Sequence, residues 1–324
     1  MTTDEKRRKT ENVDHWSQFS GIAIRAADEL HSLYSFDPED RADKALGNYP
    51  NPTRIIEALK ILVDVMFPGR FSTGVNRSDD LLPFISERLI YVAELLGPEL
   101  ERAIPFRWMG TAVTREGPPP AEDPRAVAEQ VLQSFFAALP TVRKSLIEDV
   151  KAAYRGDPAA LTYAEIQMAY PGLLAIASHR IAHLLQRMNV PLIPRVMSEW
   201  THTQTGIDIN PSAEIGDAFF IDHGSGVVIG ATAEIGNRVK IYQGATLGAR
   251  SFEVDEHGNP VKRVKRHPTV EDDVIIYANA IILGGDTVVG KGSVIGSGAC
   301  LAESVPPGSV VVSVRPELQI KPAK

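Results

Sequence analysis

The 324-residue sequence is poor in the features that would place it in several large classes of protein. It holds one cysteine, Cys300, so no disulfide can form within the chain, and the count suits a reducing compartment. It has no excess of positive charge: 34 Lys and Arg stand against 41 Asp and Glu, for a formal net charge of −7. A nucleic-acid or anionic-membrane partner would favour a basic surface, and neither is expected. The first ten residues are polar and charged, with no apolar stretch behind them. No apolar run approaches the roughly 18 residues of a membrane span. The expectation is a cytoplasmic protein of ordinary globular balance, 44% hydrophobic and 23% charged.

The two halves of the chain follow different periods. Residues 1–10 read as a disordered tail. From Glu11 to Trp200 the apolar spacing is helical: Ile55, Leu59, Leu62 and Val63 lie three and four apart, as do Leu89, Val92 and Leu96. The run Gly117-Pro118-Pro119-Pro120 reads as a linker. After it, Asp123-Pro124 has the form of a helix start, with Asp as N-cap and Pro in the first turn. The sequence thus predicts a helical N-terminal extension over 11–140 and a second helical domain over 141–205. The second should contain helices over 145–154 and 170–187, with Asp157-Pro158 in the connection.

Beyond Thr205 the helical period gives way to an aliphatic residue every six positions. One series is Ile209, Ile215, Ile221 and Val227; a second is Ile229, Ile235, Ile241 and Leu247. Later come Val270, Ile276, Ile282, Val288 and Val294, then Val289, Ile295 and Leu301. A period of six fits short parallel strands joined by tight turns, three to a triangular coil, with glycine at the corners. The predicted fold is α+β: an all-helical N-terminal domain followed by a left-handed parallel β-helix of about five coils over 206–316. Residues 249–267 break the repeat and must loop out. A long loop with no element of its own points to function. Residues 317–324 form a tail.

A solenoid by itself says nothing about chemistry. The polar clusters are Gly206-Ile-Asp208-Ile-Asn-Pro, Ile221-Asp222-His223-Gly-Ser-Gly, and Lys265-Arg266-His267-Pro. Asp208 and His223 are 15 residues apart, a little less than one 18-residue coil, so they can lie close on successive coils. An Asp accepting from Nδ1–H would leave His Nε2 free as a base for a hydroxyl nucleophile. Spacing alone leaves the alternative open that both are turn residues. In isolation, Asp157 reads as a helix cap and Arg266 as a solvated loop charge.

The stretch Ile221-Asp-His-Gly-Ser-Gly-Val-Val-Ile-Gly230, with the two flanking clusters, resembles serine acetyltransferases of the hexapeptide-repeat acyltransferase superfamily. The likeness extends upstream through Ile147-Glu-Asp-Val-Lys-Ala-Ala-Tyr-Arg-Gly-Asp157-Pro, Tyr170-Pro-Gly-Leu-Leu-Ala and His179-Arg-Ile-Ala-His183. It covers residues 141–316, and residues 1–140 resemble the extension of longer members. The resemblance implies acetyl transfer from acetyl-CoA to L-serine, with no tightly bound cofactor and no metal. It implies His223 as general base with Asp208 as its partner, Asp157 and Asp222 on the substrate ammonium, and Arg266 on the carboxylate with His267 beside it. Two acids and an arginine are also the charge pattern that a zwitterionic amino acid requires. Gly248 and Ala278 match positions where the backbone approaches the pantetheine arm. The basic run Lys262, Arg263 and Lys265 is placed to meet CoA phosphates or simply to face solvent. The family further implies a homotrimer or a dimer of trimers, and L-cysteine as feedback inhibitor.

Two departures stand out. Ala231 occupies a position where many members carry Glu. The chain ends in Lys324 rather than Ile, which disfavours the family's complex with cysteine synthase. Three rival readings are an acyltransferase for another hydroxyl or amine acceptor, a zinc hydrolyase on the same fold, and a non-catalytic scaffold. His179 and His183 have metal-ligand spacing, but no nearby carboxylate completes a site, and packing is the favoured reading. Packing is likewise favoured for Cys300, for Trp16 and Trp108, and for Trp200. His202 and His257 read as surface residues.

Overall fold

The computed structural model describes residues 19–33, 49–72, 78–107, 123–262 and 264–313. The N-terminal tail, the Gly117–Pro120 linker, Trp16, Trp108, Arg263 and the C-terminal tail with Lys324 lie outside the described residues. The chain divides into two compact units, 1–48 and 49–324. In the first, α1 spans Ser20–Leu33.

The second unit opens with helices. These are α2 (Pro52–Met66), α3 (Leu81–Ala103), α4 (Pro124–Gly156), α5 (Tyr163–Ala169), α6 (Pro171–Arg187) and α7 (Ile193–Thr205). Ile55, Leu59, Leu62 and Val63 of α2 are fully buried, as are Val92 and Leu96 of α3. Asp123 caps α4 by accepting from the Arg125 N–H, with Pro124 in the first turn, as the sequence predicts. Helix α4 then runs unbroken for 33 residues through Pro140. The expected boundary between residues 140 and 141 therefore falls inside one helix, and 145–154 is its C-terminal part rather than a separate element. None of the described helices is long and apolar enough to cross a membrane.

After α7, Gly206 adopts the left-handed conformation as C′ residue, and the chain enters fourteen short strands. All the ladder pairings are parallel, and they form three sheets with strand orders β1-β4-β7-β10-β13, β2-β5-β8-β11, and β3-β6-β9-β12-β14. The chain visits the sheets in strict rotation, which builds a three-sided prism of about five coils. Inside, like side chains stack coil on coil. Ile209, Ile229, Leu247 and Ile282 face inward from the first sheet. Ile221, Ile241, Ile276 and Ile295 do so from the third. Burying each such residue is worth about 1.5–3 kcal/mol.

The coils are not all of one length. Asp208 pairs with Val228 and Val228 with Thr246, so the first coil takes 20 residues (228 − 208) and the next 18 (246 − 228). The two extra residues are His223 and Gly224. The regular corner here has one left-handed residue, Gly206, Gly226, Gly244, Asn279 or Gly298. Each from Gly226 onward donates its N–H to the coil below, as Gly226 does to Gly206 and Gly244 to Ser225. His223 (φ 57°) and Gly224 (φ 90°) bulge out of that pattern. A side chain at Gly224 would also strike Ile207, with a Cβ 2.5 Å from Cδ1.

A buried ion pair joins the helices to the prism. Arg180 of α6 binds Asp149 of α4 through two bonds of 2.7 and 2.9 Å, and donates to the carbonyls of Ile215 and Gly216. Asp149 also accepts the Phe219 N–H at 2.9 Å. Burial pushes the Asp149 pKa up, against the pull of Arg180. Removing one partner strands the other in a dry site, so Asp149→Ala should cost about 3–5 kcal/mol in urea unfolding. A loss below 1 kcal/mol would mean that this pair does not hold the two layers together.

Candidate active site

The catalytic candidate His223 stands on the corner between the third and first sheets, with its side chain 73% exposed. Asp222 closes strand β3 (Phe220–Asp222), with its side chain 11% exposed. Its Oδ1 lies 3.9 Å from His223 Nε2, and its Oδ2 lies 3.2 Å from Lys240 Nζ. Asp157 is the C-cap of α4 and comes to the same edge. Its Oδ1 accepts the Ala159 N–H at 2.8 Å and its Oδ2 the Tyr170 hydroxyl at 2.5 Å. These bonds, Tyr170 first, hold the Asp157 pKa below the ordinary value. Burial, and then Asp157 itself, push Tyr170 well above its own. Asp157 is thus a fixed anion rather than a proton carrier.

Asp208 opens β1 (Asp208–Ile209) at the same edge. Among the described residues no hydrogen bond joins it to His223. The expected dyad is not formed in this conformation, because the two-residue bulge carries the imidazole outward, and Asp222 is the nearer carboxylate.

Arg266 and His267 lie elsewhere. They end the extruded loop, between β7 of the first sheet and β8 of the second, on a different edge of the prism. His267 is 7% exposed and fits over Gly230, where a Cβ would fall 2.0 Å from its ring. Its Nδ1 accepts the Thr232 N–H at 3.1 Å and lies 2.8 Å from Thr232 Oγ1. Thr232 Oγ1 accepts the N–H groups of Arg266 and His267 at 2.9 and 3.0 Å. Nδ1 being the acceptor, the proton sits on Nε2. Ala231 precedes this threonine, so the family's Glu position adjoins the seat of the loop.

The loop itself has an element that its sequence did not suggest. Val254 bridges Pro260 in antiparallel fashion, and Asp255 accepts the N–H groups of His257 and Asn259 at the tip. A cavity of about 230 Å³ lies under it, and Arg250, Phe252, Arg266 and Asp286 are among its walls. Lys265 binds Glu234 at 2.8 Å, and Lys262 is exposed.

Gly248 and Ala278 are half-buried and also lie on different edges, Gly248 with Arg266 and Ala278 with His223. Among the described residues no group of three His, Cys, Asp or Glu is placed to hold a metal ion. His179 and His183 stack at 5.4 Å. Contrary to expectation a carboxylate does approach, Glu214 at 3.3 Å from His183 Nε2, brought by the fold from far along the chain. Cys300 is exposed rather than packed, since the outward position of β13 falls to it and the inward one to Leu301. Trp200 packs against the core with Lys60 over its ring, and His202 and His257 are at the surface.

Three residues of the site carry no sequence motif of their own. Lys240 reads only as a charge beside the repeat residue Ile241. Thr232 is one polar residue in a turn. Gln243 follows Tyr242 in the coil above the bulge, and its Oε1 is buried without a hydrogen-bond partner.

The sequence matches no family model. It is 44% identical over 267 residues to a plasmid serine acetyltransferase of Synechococcus elongatus, covering 81% of this chain and 82% of that protein. The chain belongs to the serine acetyltransferases. Among solved structures it is similar to serine acetyltransferase isoform 3 of Entamoeba histolytica in complex with cysteine. The TM-score is 0.65 at 33% identity, over 82% of this chain and 84% of that one. The serine acetyltransferase of Neisseria gonorrhoeae in complex with serine gives a TM-score of 0.51 at 26% identity, over 83% and 97%. The likeness includes the helices as well as the prism, which is a left-handed parallel β-helix in this family member.

Burial, followed by the charges of Arg266 and Lys265, lowers the His267 pKa to about 4 from 6.5. Between these values the unfolded chain binds the proton and the folded chain does not. The stability contributed by His267 is therefore fully present above pH 6.5 and lost as pH falls towards 4. The thermal midpoint should fall through that window in this serine acetyltransferase, and fall less in His267→Asn, whose amide oxygen can still accept from Thr232. An equal fall in both would assign the titration to another group.

Proposed function

We propose that this chain O-acetylates L-serine with acetyl-CoA, using His223 as the general base. The observation that carries the reading is the corner bulge, which presents an exposed imidazole beside two fixed carboxylates. In the proposed reaction Nε2 takes the hydroxyl proton as the serine oxygen attacks the thioester carbon. A C–O bond forms and a tetrahedral oxyanion results. Its collapse breaks the C–S bond, and the imidazolium returns its proton to the departing thiolate. The products are O-acetylserine and CoA, without an acyl-enzyme. Asp208 lies at the same edge, and rotation of the exposed His223 side chain would bring the ring to it for orientation. No tightly bound cofactor is needed, and acetyl-CoA is consumed as a substrate.

Asp157 and Asp222 hold the ammonium in this reading, and Arg266 the carboxylate, with the His267 Nε2–H beside it. Because Arg266 and His267 occupy another edge of the prism, one copy does not complete the zwitterion site. A second copy would bring its Arg266 edge against the first copy's His223 edge, and a cyclic trimer closes that arrangement. Gly248 and Ala278, on the same two edges, would flank the pantetheine arm. Relatives solved with serine and with cysteine support both amino acids as ligands. The two share the zwitterion and differ only in hydroxyl against thiol, so cysteine is expected to compete at the serine site. The supported setting is the cytoplasm, where acetyl-CoA is available.

The first test is thiol release from acetyl-CoA with and without L-serine. Wild type should release CoA only with serine, and His223→Ala should lose about 10²–10⁴-fold in kcat. Unchanged turnover in the variant would remove His223 from the base role, and release with a different acceptor alone would change the substrate.

A shared site predicts complementation. His223→Ala and Arg266→Ala should each be inactive alone. Co-expressed and co-assembled, they should recover up to about a quarter of wild-type activity, since random pairing leaves that share of sites with both residues intact. No recovery would place the whole site within one copy.

A further inference from the structure

Between the two acids assigned to the substrate ammonium lies a cation of the chain's own. Lys240 opens β6 (Lys240–Tyr242), one coil above Phe220, and its side chain is 16% exposed. Its Nζ donates to the Gly156 carbonyl at 2.6 Å and lies 3.2 Å from Asp222 Oδ2. It also stands 5.0 Å from the Phe220 ring centre and 4.4 Å from that of Tyr242. Gly156 is the last residue of α4, next to Asp157, and a carbonyl at a helix C-terminus carries the negative end of the helix dipole. The approach depends on glycine: a Cβ there would fall 2.8 Å from the Phe220 ring. Burial works against the lysine's charge, but its bonds to Tyr242 and Asp222 outweigh it, and the Lys240 pKa stands above the ordinary value.

We infer that Lys240 is a positioning residue for the amino-acid substrate: its ammonium ties the end of α4 to the Asp222 corner and so fixes Asp157 and Asp222 at one separation around the substrate ammonium. The inference rests on the reading of the site given above. Two carboxylates turned towards one space repel each other, and each would otherwise be free to swing away, Asp157 with the helix end and Asp222 about its side-chain bonds. With Lys240 in place the three groups leave a single negative charge, which one substrate ammonium neutralises. The carboxylate oxygens that Lys240 does not touch keep lone pairs for the ligand. The acids arrive from two layers of the molecule, helix and prism, and Lys240 is bonded to both.

The test is Lys240→Met, which keeps the aliphatic stem over Phe220 and Tyr242 and removes the charge. The KM for serine should rise roughly tenfold, the size expected when a charged hydrogen bond that organises a site is lost. The KM for acetyl-CoA should stay within about twofold and kcat should change less than the serine KM, a split that general loss of structure does not produce. Lys240→Arg should recover part of the serine KM. Calorimetric titration of L-serine into the enzyme without acetyl-CoA should show the same loss of affinity. That measurement needs no turnover, so it tests Lys240 even if the acceptor in the reaction proves to be another amino acid. An unchanged serine KM and Kd in Lys240→Met would overturn the inference. So would a lower KM, which would make Lys240 a competitor for the acids, or an equal rise in both KM values.

Discussion

A triangular coil closes only when an inward side chain returns at the right place on every side, and the rest of this molecule is arranged around that constraint. The stacked aliphatic residues of the three sheets satisfy it coil after coil. Any residue in excess of the repeat cannot enter the interior and must leave at a corner. The extra residues leave at three places. His223 and Gly224 bulge from one edge, residues 249–267 leave at another, and Gly284-Gly285 lengthen the next coil beneath that loop. The first two carry the residues with chemistry. The core is uniform because the exceptions have been moved to its edges.

The repeat is legible in the sequence because a six-residue spacing suits neither a helix nor a simple hairpin. The bulge is in plain view there too. One aliphatic series ends at Val227 and the next is anchored at Ile229, a slip of two across Asp-His-Gly-Ser-Gly. What that slip does to the imidazole was not legible. A spacing of 15 residues places Asp208 and His223 at one edge, yet the extra pair of residues turns the ring outward, where Asp222 is nearer. The helical half was less readable. Pro140 and the change in composition suggest a boundary within what is one helix, since a proline in a long, well-packed helix need not end it. Lys240 and Glu214 were invisible for another reason. Their partners are set by which coil lies beside which helix, and a single sequence does not print that.

The site's electrostatics follow from the same geometry. One edge collects Asp157, Asp222 and His223; another holds Arg266 and His267, with the imidazole kept neutral by burial beside two cations. Within a chain the halves of a zwitterion's complement are thereby held apart. Such a division prevents the acids and the arginine from neutralising one another when no substrate is present, as neighbouring opposite charges would.

The last two turns of α4 have a property of a different kind. Asp149 is fastened to α6 and the β-helix at one end of this segment, and Gly156 to Lys240 at the other. Both attachments are to the same rigid prism, so the segment behaves as a gauge of set length. Adding or deleting one residue between them would turn everything beyond by about 100° and shift it by about 1.5 Å. Asp157 would then leave the substrate edge although every strand stayed in place. Substitutions on the outer face of these turns are tolerable in a way that length changes are not. In this helix the number of residues, more than their identity, determines where an anion meets the solenoid.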